Sequence, residues 1–311
     1  MMNTAKWVQR NPLKNGWGAF ALRGREDATQ DIDLAVFVKG NGPGVIVTHE
    51  LPGMSRACIR LAEEIVAAGF RVYLPLFFGA PGKTNMVGNS LRLFCLKREF
   101  EYCARHKSGV ITQWLNELSR RVRQECPHDG VGVIGMCLTG NFALAMMKYP
   151  DHGIKAPVLS QPSLPIYIPG LPGSIAQKRA TGLDSATINA VVDWAKQEKA
   201  HNPDFYMPIF QFAEDFLSPP ARLEGFKNDI GACYFEPPDG ADVTISKEVR
   251  QSAGIPRGQT HSVLTGYFDG NDSRDRPDPA GDARTLLFQY LHQQLDEGEL
   301  ARSDSELDIT R

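Results

Sequence analysis

Residues 131–148 read Val-Gly-Val-Ile-Gly-Met-Cys-Leu-Thr-Gly-Asn-Phe-Ala-Leu-Ala-Met-Met-Lys. The apolar run 131–134, rich in β-branched residues, predicts a short buried strand. Gly135, Cys137 and Gly140 follow, and the run from Phe142 to Met147 favours helix. A strand, a sharp turn and a helix with one nucleophilic side chain at the turn is the nucleophile-elbow arrangement. Small residues flank a nucleophile there because the turn is strained and the helix must pack close to the strand. A helix N-terminus behind Cys137 is expected to favour its thiolate, the reactive form. Cysteine stands where serine is usual, Thr139 stands where a second glycine is expected, and Gly140 comes one position later. Taken alone, the pattern is weak, and a buried cysteine after a strand is more often plain core. The surrounding chain has to separate the two.

The 311 residues can bury a large core, as one α/β domain or as two small domains. Apolar content of 42% and charged content of 23% are those of an ordinary globular chain. A formal net charge of -2 leaves no electrostatic footprint for nucleic acid or an anionic membrane. No apolar run approaches the length that crosses a bilayer, and the first ten residues lack an apolar signal-peptide core. A cytoplasmic location is the expectation. Six cysteines, at positions 58, 95, 103, 126, 137 and 233, include no C-x-x-C pair, which argues against disulfides and a structural zinc site. Five of them read as apolar filler, and only Cys137 stands at a turn between strand and helix.

Outward from the elbow, the chain alternates strands and helices. Residues 1–30 form an unassigned N-terminal extension. Residues 31–39 alternate apolar and polar and predict a strand paired with its neighbour. A second strand, 45–48, ends in His49-Glu50-Leu51-Pro52-Gly53, and Ser55 is placed to cap a helix running to about Ala68. Phe70 begins the next strand, so a β-α-β unit and parallel pairing follow. Residues 78–108 read as a Gly-rich loop and a mixed helical stretch holding Arg98 and Tyr102, and a helix follows over 110–124. Past the elbow come a strand at 157–160, an excursion over 162–208 with a helix at 186–199, and a strand at 209–212 leading to Asp215. Cys233-Tyr234-Phe235 reads as the last strand, His261 follows a loop at 236–260, and 283–295 forms a closing helix. Residues 298–311 read as a mobile polar tail. The expectation is one α/β domain over 31–297, with an insertion at about 162–208.

Cys137, Asp215 and His261 stand in the chain order nucleophile, acid, histidine, each after a predicted strand, as in an α/β-hydrolase with a mostly parallel sheet and helices on both faces. Each also has a plain alternative: a core thiol, a solvated or capping carboxylate, a loop histidine. All three in order at strand ends is a stronger signal than any one of them.

With those residues in hand, the sequence resembles the dienelactone hydrolase family of cysteine α/β-hydrolases over about 30–297. Gly-Met-Cys-Leu-Thr-Gly (135–140) is similar to that family's Gly-x-Cys-Leu-Gly-Gly. The segment at 49–53 resembles its glutamate-bearing strand end, Asp215-Phe216-Leu217-Ser218-Pro219 resembles its Asp-x-x-Val-Pro, and Thr260-His261-Ser262 resembles its Gly-His-Ser. The resemblance implies Cys137 as nucleophile, His261 as general acid/base, Asp215 as the group orienting the imidazole, and Glu50 as a carboxylate helping to activate the thiol. It implies an oxyanion hole from the backbone amides of Leu51 and Leu138, and carboxylate contacts from Arg98 and Tyr102. Glu50 could instead cap a helix or pair with a surface arginine, and Arg98 could lie on a solvated face. Thr265 stands where the family's second carboxylate-binding arginine falls, and the loop at 236–260 is extra; both depart from a dienelactone site.

The expected function is therefore a hydrolase that opens a lactone or cleaves a small carboxylic ester through a thioester, needing no metal or organic cofactor. Its partner is that small-molecule substrate, with no nucleic acid and no membrane, and the oligomeric state stays open. A general carboxylesterase or thioesterase, a catalytically silent binding member of the fold, and a redox-sensing thiol are the alternatives.

Overall fold

The computed structural model describes residues 4–24, 32–51, 53–83, 109–126, 128, 130–167, 174–238, 240, 243–266 and 277–296. Arg98, Tyr102, Cys95, Cys103 and the tail at 298–311 lie outside them. Eight strands form one sheet: β1 (Gly18–Arg23), β2 (Asp33–Lys39), β3 (Gly44–Thr48), β4 (Arg71–Pro75), β5 (Val131–Met136), β6 (Ile154–Ser160), β7 (Ile209–Phe212) and β8 (Thr244–Ile245). Their order is β1-β2-β4-β3-β5-β6-β7-β8. β2 is antiparallel to β1 and β4, and every other pairing is parallel.

The sheet is covered on both faces because its central strands are apolar on both. In β5, Val131 and Val133 join one core while Ile134 and Met136 join the other, and in β3 Ile46 opposes Val45 and Val47. The first core takes α3 (Val110–Glu125) through Trp114, Leu115 and Leu118, and α6 (Ser185–His201) through Val191 and Ala195. The second takes α2 (Arg56–Ala67) through Leu61, Ala62 and Ile65, and the closing helix, Pro279–Leu295, through Leu287, Tyr290 and Leu291. Helix α2 starts where the sequence places it: Ser55 Oγ accepts from the Cys58 N–H at 3.1 Å. Its end follows from Gly69, at φ +101°, which turns the chain into β4. Among the described residues, no helix is long and apolar enough to cross a membrane.

The chain winds from β3 out to β4, then crosses back to place β5 on the other side of β3. The crevice beyond the carboxyl ends of β3 and β5 is thus a topological switch point, where open α/β sheets bind ligands. Glu50 follows β3 and Cys137 follows β5.

Four expectations need correction. Cys233-Tyr234-Phe235 is not a strand: Gly231, at φ +128°, ends the helix Pro220–Ile230, and Ala232–Tyr234 forms a single tight turn. Phe235 is apolar because it packs on Phe226, with ring centroids 6.2 Å apart, and the last strand is β8. β2 pairs with β1 before it and with β4, not with β3, the next strand in the chain. The run after the elbow is no continuous helix but a tight turn (Cys137–Thr139), α4 (Phe142–Ala145) and a second tight turn (Met146–Lys148). Cys233 is exposed rather than core filler, whereas Cys58 and Cys126 are buried. The extension left unassigned in the sequence contains α1 (Thr4–Arg10) and the edge strand β1.

The excursion after β6 is fastened to the helix α7 (Pro220–Ile230). Residues 162–167 run beside it, α5 (Ser174–Arg179) packs on it, and Arg222 Nη2 donates to the carbonyls of Pro165 (2.7 Å) and Gln177 (3.0 Å). Gly225 permits that contact, since a Cβ there would stand 1.8 Å from the Arg179 carbonyl oxygen. Gly225→Ala should therefore push α5 off α7 and lower the stability by about 1–3 kcal/mol, read as an earlier urea midpoint.

Candidate active site

The backbone of Cys137 is strained. Cys137 sits at φ +55°, in the left-handed region that a residue with a Cβ adopts only when its surroundings enforce it. Two glycines make room for the turn. A Cβ on Gly135 would stand 2.4 Å from the Thr139 carbonyl oxygen, and one on Gly140 would stand 2.6 Å from Pro162 Cα. Thr139 replaces the expected second glycine without penalty because it lies in the tight turn and uses its hydroxyl. The Met136 N–H donates to Thr139 Oγ1 at 3.0 Å, and Thr48 Oγ1 bonds the same oxygen at 2.8 Å. Because α4 is only one turn long, the helix-terminus argument for the thiolate loses its basis.

Asp215 follows β7, and its side chain is almost wholly enclosed. Its Oδ1 accepts from the N–H groups of Leu217 (2.8 Å) and Ser218 (3.0 Å), which fixes the carboxylate, and its Oδ2 accepts from His261 Nδ1 at 2.8 Å. That bond engages Nδ1 and leaves Nε2 as the second nitrogen of the ring. Nε2 is buried and makes no hydrogen bond of ordinary geometry among the described residues. Burial pushes the His261 pKa down, but the charge of Cys137, the Asp215 hydrogen bond and a polar contact with Cys137 outweigh it, and the pKa stands well above the usual histidine value. The Cys137 sulfur lies 3.4 Å from Ser163 Oγ, and the Ser163 N–H donates to the Cys137 carbonyl at 3.0 Å.

Glu214, the immediate neighbour of Asp215, points elsewhere. Its carboxylate pairs with Arg250 at 2.6 Å and Arg257 at 3.6 Å. Adjacent residues at a strand end diverge, so only one reaches the histidine.

Glu50, just after β3, is buried as well. It accepts from Gln161 Nε2 (3.1 Å), Ser262 Oγ (3.4 Å) and Thr265 Oγ1. Burial raises its pKa above the ordinary carboxylate range, opposed by these donors and by the charge of His261. Neither a helix cap nor a surface arginine accounts for it. Thr265, at the position where a substrate-binding arginine was weighed, turns its hydroxyl to Glu50. Leu51 and Leu138, whose amides were expected to form the oxyanion hole, follow Glu50 and Cys137 directly, and their side chains share one core.

Sequence reading missed several supporting groups. His49 is fully buried: its Nδ1 donates to the Glu50 carbonyl (3.2 Å) and its Nε2 accepts from the Phe77 N–H (3.1 Å). This neutral tautomer ties the end of β3 to the end of β4. Gln161, Ser163 and Arg222 were also missed. The signal for the first two was the polar Ser160-Gln161-Pro162-Ser163 following directly on an apolar strand. Burial pushes the Arg222 pKa down to about 10 against the opposing charge of Asp215. Among the described residues, no group of three or more His, Cys, Asp or Glu is arranged to hold a metal ion. A surface groove of about 390 Å³, lined by Arg120, Arg123, Gln124, His128 and Asp151, lies at the opposite end of β5 and takes no part in this site.

A cysteine at a strand-to-helix turn, an aspartate-bound histidine and the strand order above define an α/β-hydrolase fold. The model of the dienelactone hydrolase family matches residues 34–167, somewhat under half of the chain. The fold is shared with a putative dienelactone hydrolase from Klebsiella pneumoniae subsp. pneumoniae, at 13% identity and TM-score 0.54, covering 90% of this chain and 100% of that one. It is shared as well with a dienelactone hydrolase-like promiscuous phosphotriesterase from metagenomic libraries, at 13% identity and TM-score 0.53, covering 90% and 99%. No curated protein matches the sequence. The family match supports an ester-cleaving hydrolase.

Two outcomes test the site. Asp215→Asn should lower kcat by about a hundredfold or more, whereas Glu214→Gln should cost less than about tenfold in kcat and act on stability through Arg250. The second concerns acid. Burial pushes the His49 pKa down to about 4, opposed by its bond to the Glu50 carbonyl. From the ordinary value of 6.5 down to about 4, the unfolded chain binds a proton that the folded chain refuses, so stability falls as pH falls. This residue alone should remove about 2 kcal/mol between pH 7 and pH 5. Glu50 works in the opposite sense, because its raised pKa favours the folded form as it takes up a proton. Urea midpoints across that range should be flatter for His49→Gln than for the parent, which isolates the histidine.

Proposed function

We propose that this protein hydrolyses a small carboxylic ester, or opens a lactone, through a thioester on Cys137. The observation that carries the reading is the left-handed Cys137 at the elbow beside a histidine held by Asp215 at 2.8 Å. His261 Nε2 takes the thiol proton, giving a thiolate–imidazolium pair; its raised pKa favours that form. The sulfur attacks the ester carbonyl carbon and the C=O electrons move to oxygen. The Leu51 and Leu138 amides stabilise that oxyanion, each by roughly 3 kcal/mol. As the C–O bond breaks, the alkoxide takes the proton from His261 and leaves as an alcohol, or stays tethered as a hydroxyl when the substrate is a lactone. Neutral His261 then activates water, which attacks the thioester, releasing the acid and restoring the thiol.

Glu50 serves as a buried negative charge facing His261, supporting the imidazolium. A neutral ester fits better than an anionic dienelactone, because Thr265 supplies a hydroxyl to Glu50 where a substrate-gripping cation would be needed. Grip on a substrate carboxylate by Arg98 and Tyr102 remains part of the anionic reading.

Cys137→Ala should abolish turnover across a panel of esters and lactones while leaving the protein folded. Cys137→Ser should leave traces, since a hydroxyl is poorly matched to a site built for a thiolate. Iodoacetamide should label Cys137 faster than the other five cysteines. Turnover by the Ala variant at the parent rate overturns the reading. Uniformly slow labelling would indicate a silent binding protein, and thiol oxidation without ester turnover a redox sensor.

A further inference from the structure

We infer that Gln161 is a positioning residue of this site, whose side-chain amide holds the buried Glu50 carboxylate and the loop carrying His261 in one fixed relation. The inference rests on the proposed thiolate–imidazolium site and adds a residue to it.

Gln161 is fully buried and sits at φ +36°, in the left-handed region, directly after β6. A glutamine gains nothing locally from that backbone, so strain at this position points to a constraint from its surroundings. Those surroundings are polar on every side. Nε2 donates to Glu50 Oε2 at 3.1 Å, while Oε1 accepts from the Val263 N–H at 3.4 Å and from Ser160 Oγ. The backbone N–H donates to the Phe210 carbonyl in β7 at 2.7 Å. The Val263 N–H can only donate, which fixes the amide orientation whatever the protonation of Glu50. One side chain thus joins the end of β3 to the segment two residues past His261. The bend it imposes carries Pro162 and Ser163 against Gly140 and Cys137.

The charged and titratable groups around this amide make its role measurable. Glu50 faces Gln161, Ser262, Thr265, His261 and, from α2, the Cys58 thiol. His261 faces Asp215, Cys137 and Glu50, and Arg222 faces Asp215 from α7. A donor from Gln161 favours the charged Glu50, and a charged Glu50 favours the imidazolium of His261. Gln161→Met keeps the volume and removes the donor. Glu50 then holds its proton to higher pH, its charge is withdrawn, and the His261 pKa falls. Gln161→Glu adds a second carboxyl against Glu50. At alkaline pH the site then carries more negative charge, and the His261 pKa rises.

The test is the titration of the His261 ring, followed by proton–nitrogen NMR of the full chain and assigned with His261→Gln. It needs no substrate, so it stands even if no ester in the panel is turned over, and failure of that panel bears on the proposed function alone. The expected result is an inflection lower by about half a pH unit or more in Gln161→Met and higher by a similar amount in Gln161→Glu. The kcat/KM of the Met variant for a hydrolysed ester should fall about tenfold, with its alkaline limb moving to lower pH. An unmoved inflection in both variants, or shifts of the same sign, would reduce Gln161 to a packing residue and overturn the proposal. Should Gln161→Met fail to fold, the sign of the shift in Gln161→Glu decides alone.

Discussion

The backbone of Cys137 is the constraint on which the crevice depends. A Cβ-bearing residue in the left-handed region is disfavoured by roughly 1–2 kcal/mol, and the surrounding packing must hold it there. The holding parts are visible. Gly135 and Gly140 clear the space, the Thr139 hydroxyl ties the turn to Thr48 at the end of β3, and Ser163 N–H fixes the Cys137 carbonyl. The strain is therefore spread over β3, β5 and β6, the strands whose ends carry Glu50, Cys137 and Gln161.

The second organising fact is a buried carboxylate held by neutral donors. Removing Glu50 from water is costly, and the hydroxyls of Thr265 and Ser262 and the amide of Gln161 offset part of that cost. Its pKa remains raised, so the local negative charge is conditional on those donors rather than guaranteed. Asp215 contrasts with it. Two backbone N–H groups and a histidine satisfy that carboxylate, and Arg222 adds positive charge behind it. Two acidic residues a few strands apart thus meet different environments.

Much of this was legible in the sequence where local rules and tertiary packing agree. The Ser55 cap, the central strands and the chain order of Cys137, Asp215 and His261 all follow from residue type and spacing. Reading failed where tertiary context overrides local preference. Cys233-Tyr234-Phe235 has strand-forming residues, yet Gly231 and the Phe226 ring direct it into a turn. The helix expected at 142–147 is α-helical only over Phe142–Ala145 and tightens into a turn at Met146–Lys148. Gln161 and His49 could not be assigned, since their meaning lies in partners such as Glu50, Val263 and Phe77 that only the fold brings near. The resemblance to Asp-x-x-Val-Pro singles out Asp215 rather than its neighbour Glu214, and the Arg250 guanidinium against Glu214 shows where that neighbour goes instead.

The separations along the chain have a kinetic consequence. Thr48 and Thr139 are 91 residues apart, Glu50 and Gln161 are 111 apart, and Glu50 and Thr265 are 215 apart. Each contact closes a long loop whose entropy must be lost before the bond contributes anything. A nascent chain extended only through β5 carries Cys137 before Asp215 and His261 have been added. The crevice is finished by the last closure, when the segment after β8 returns to Glu50. On the proposed reading, the contacts that complete the site span the longest loops, so they carry the largest closure cost in folding.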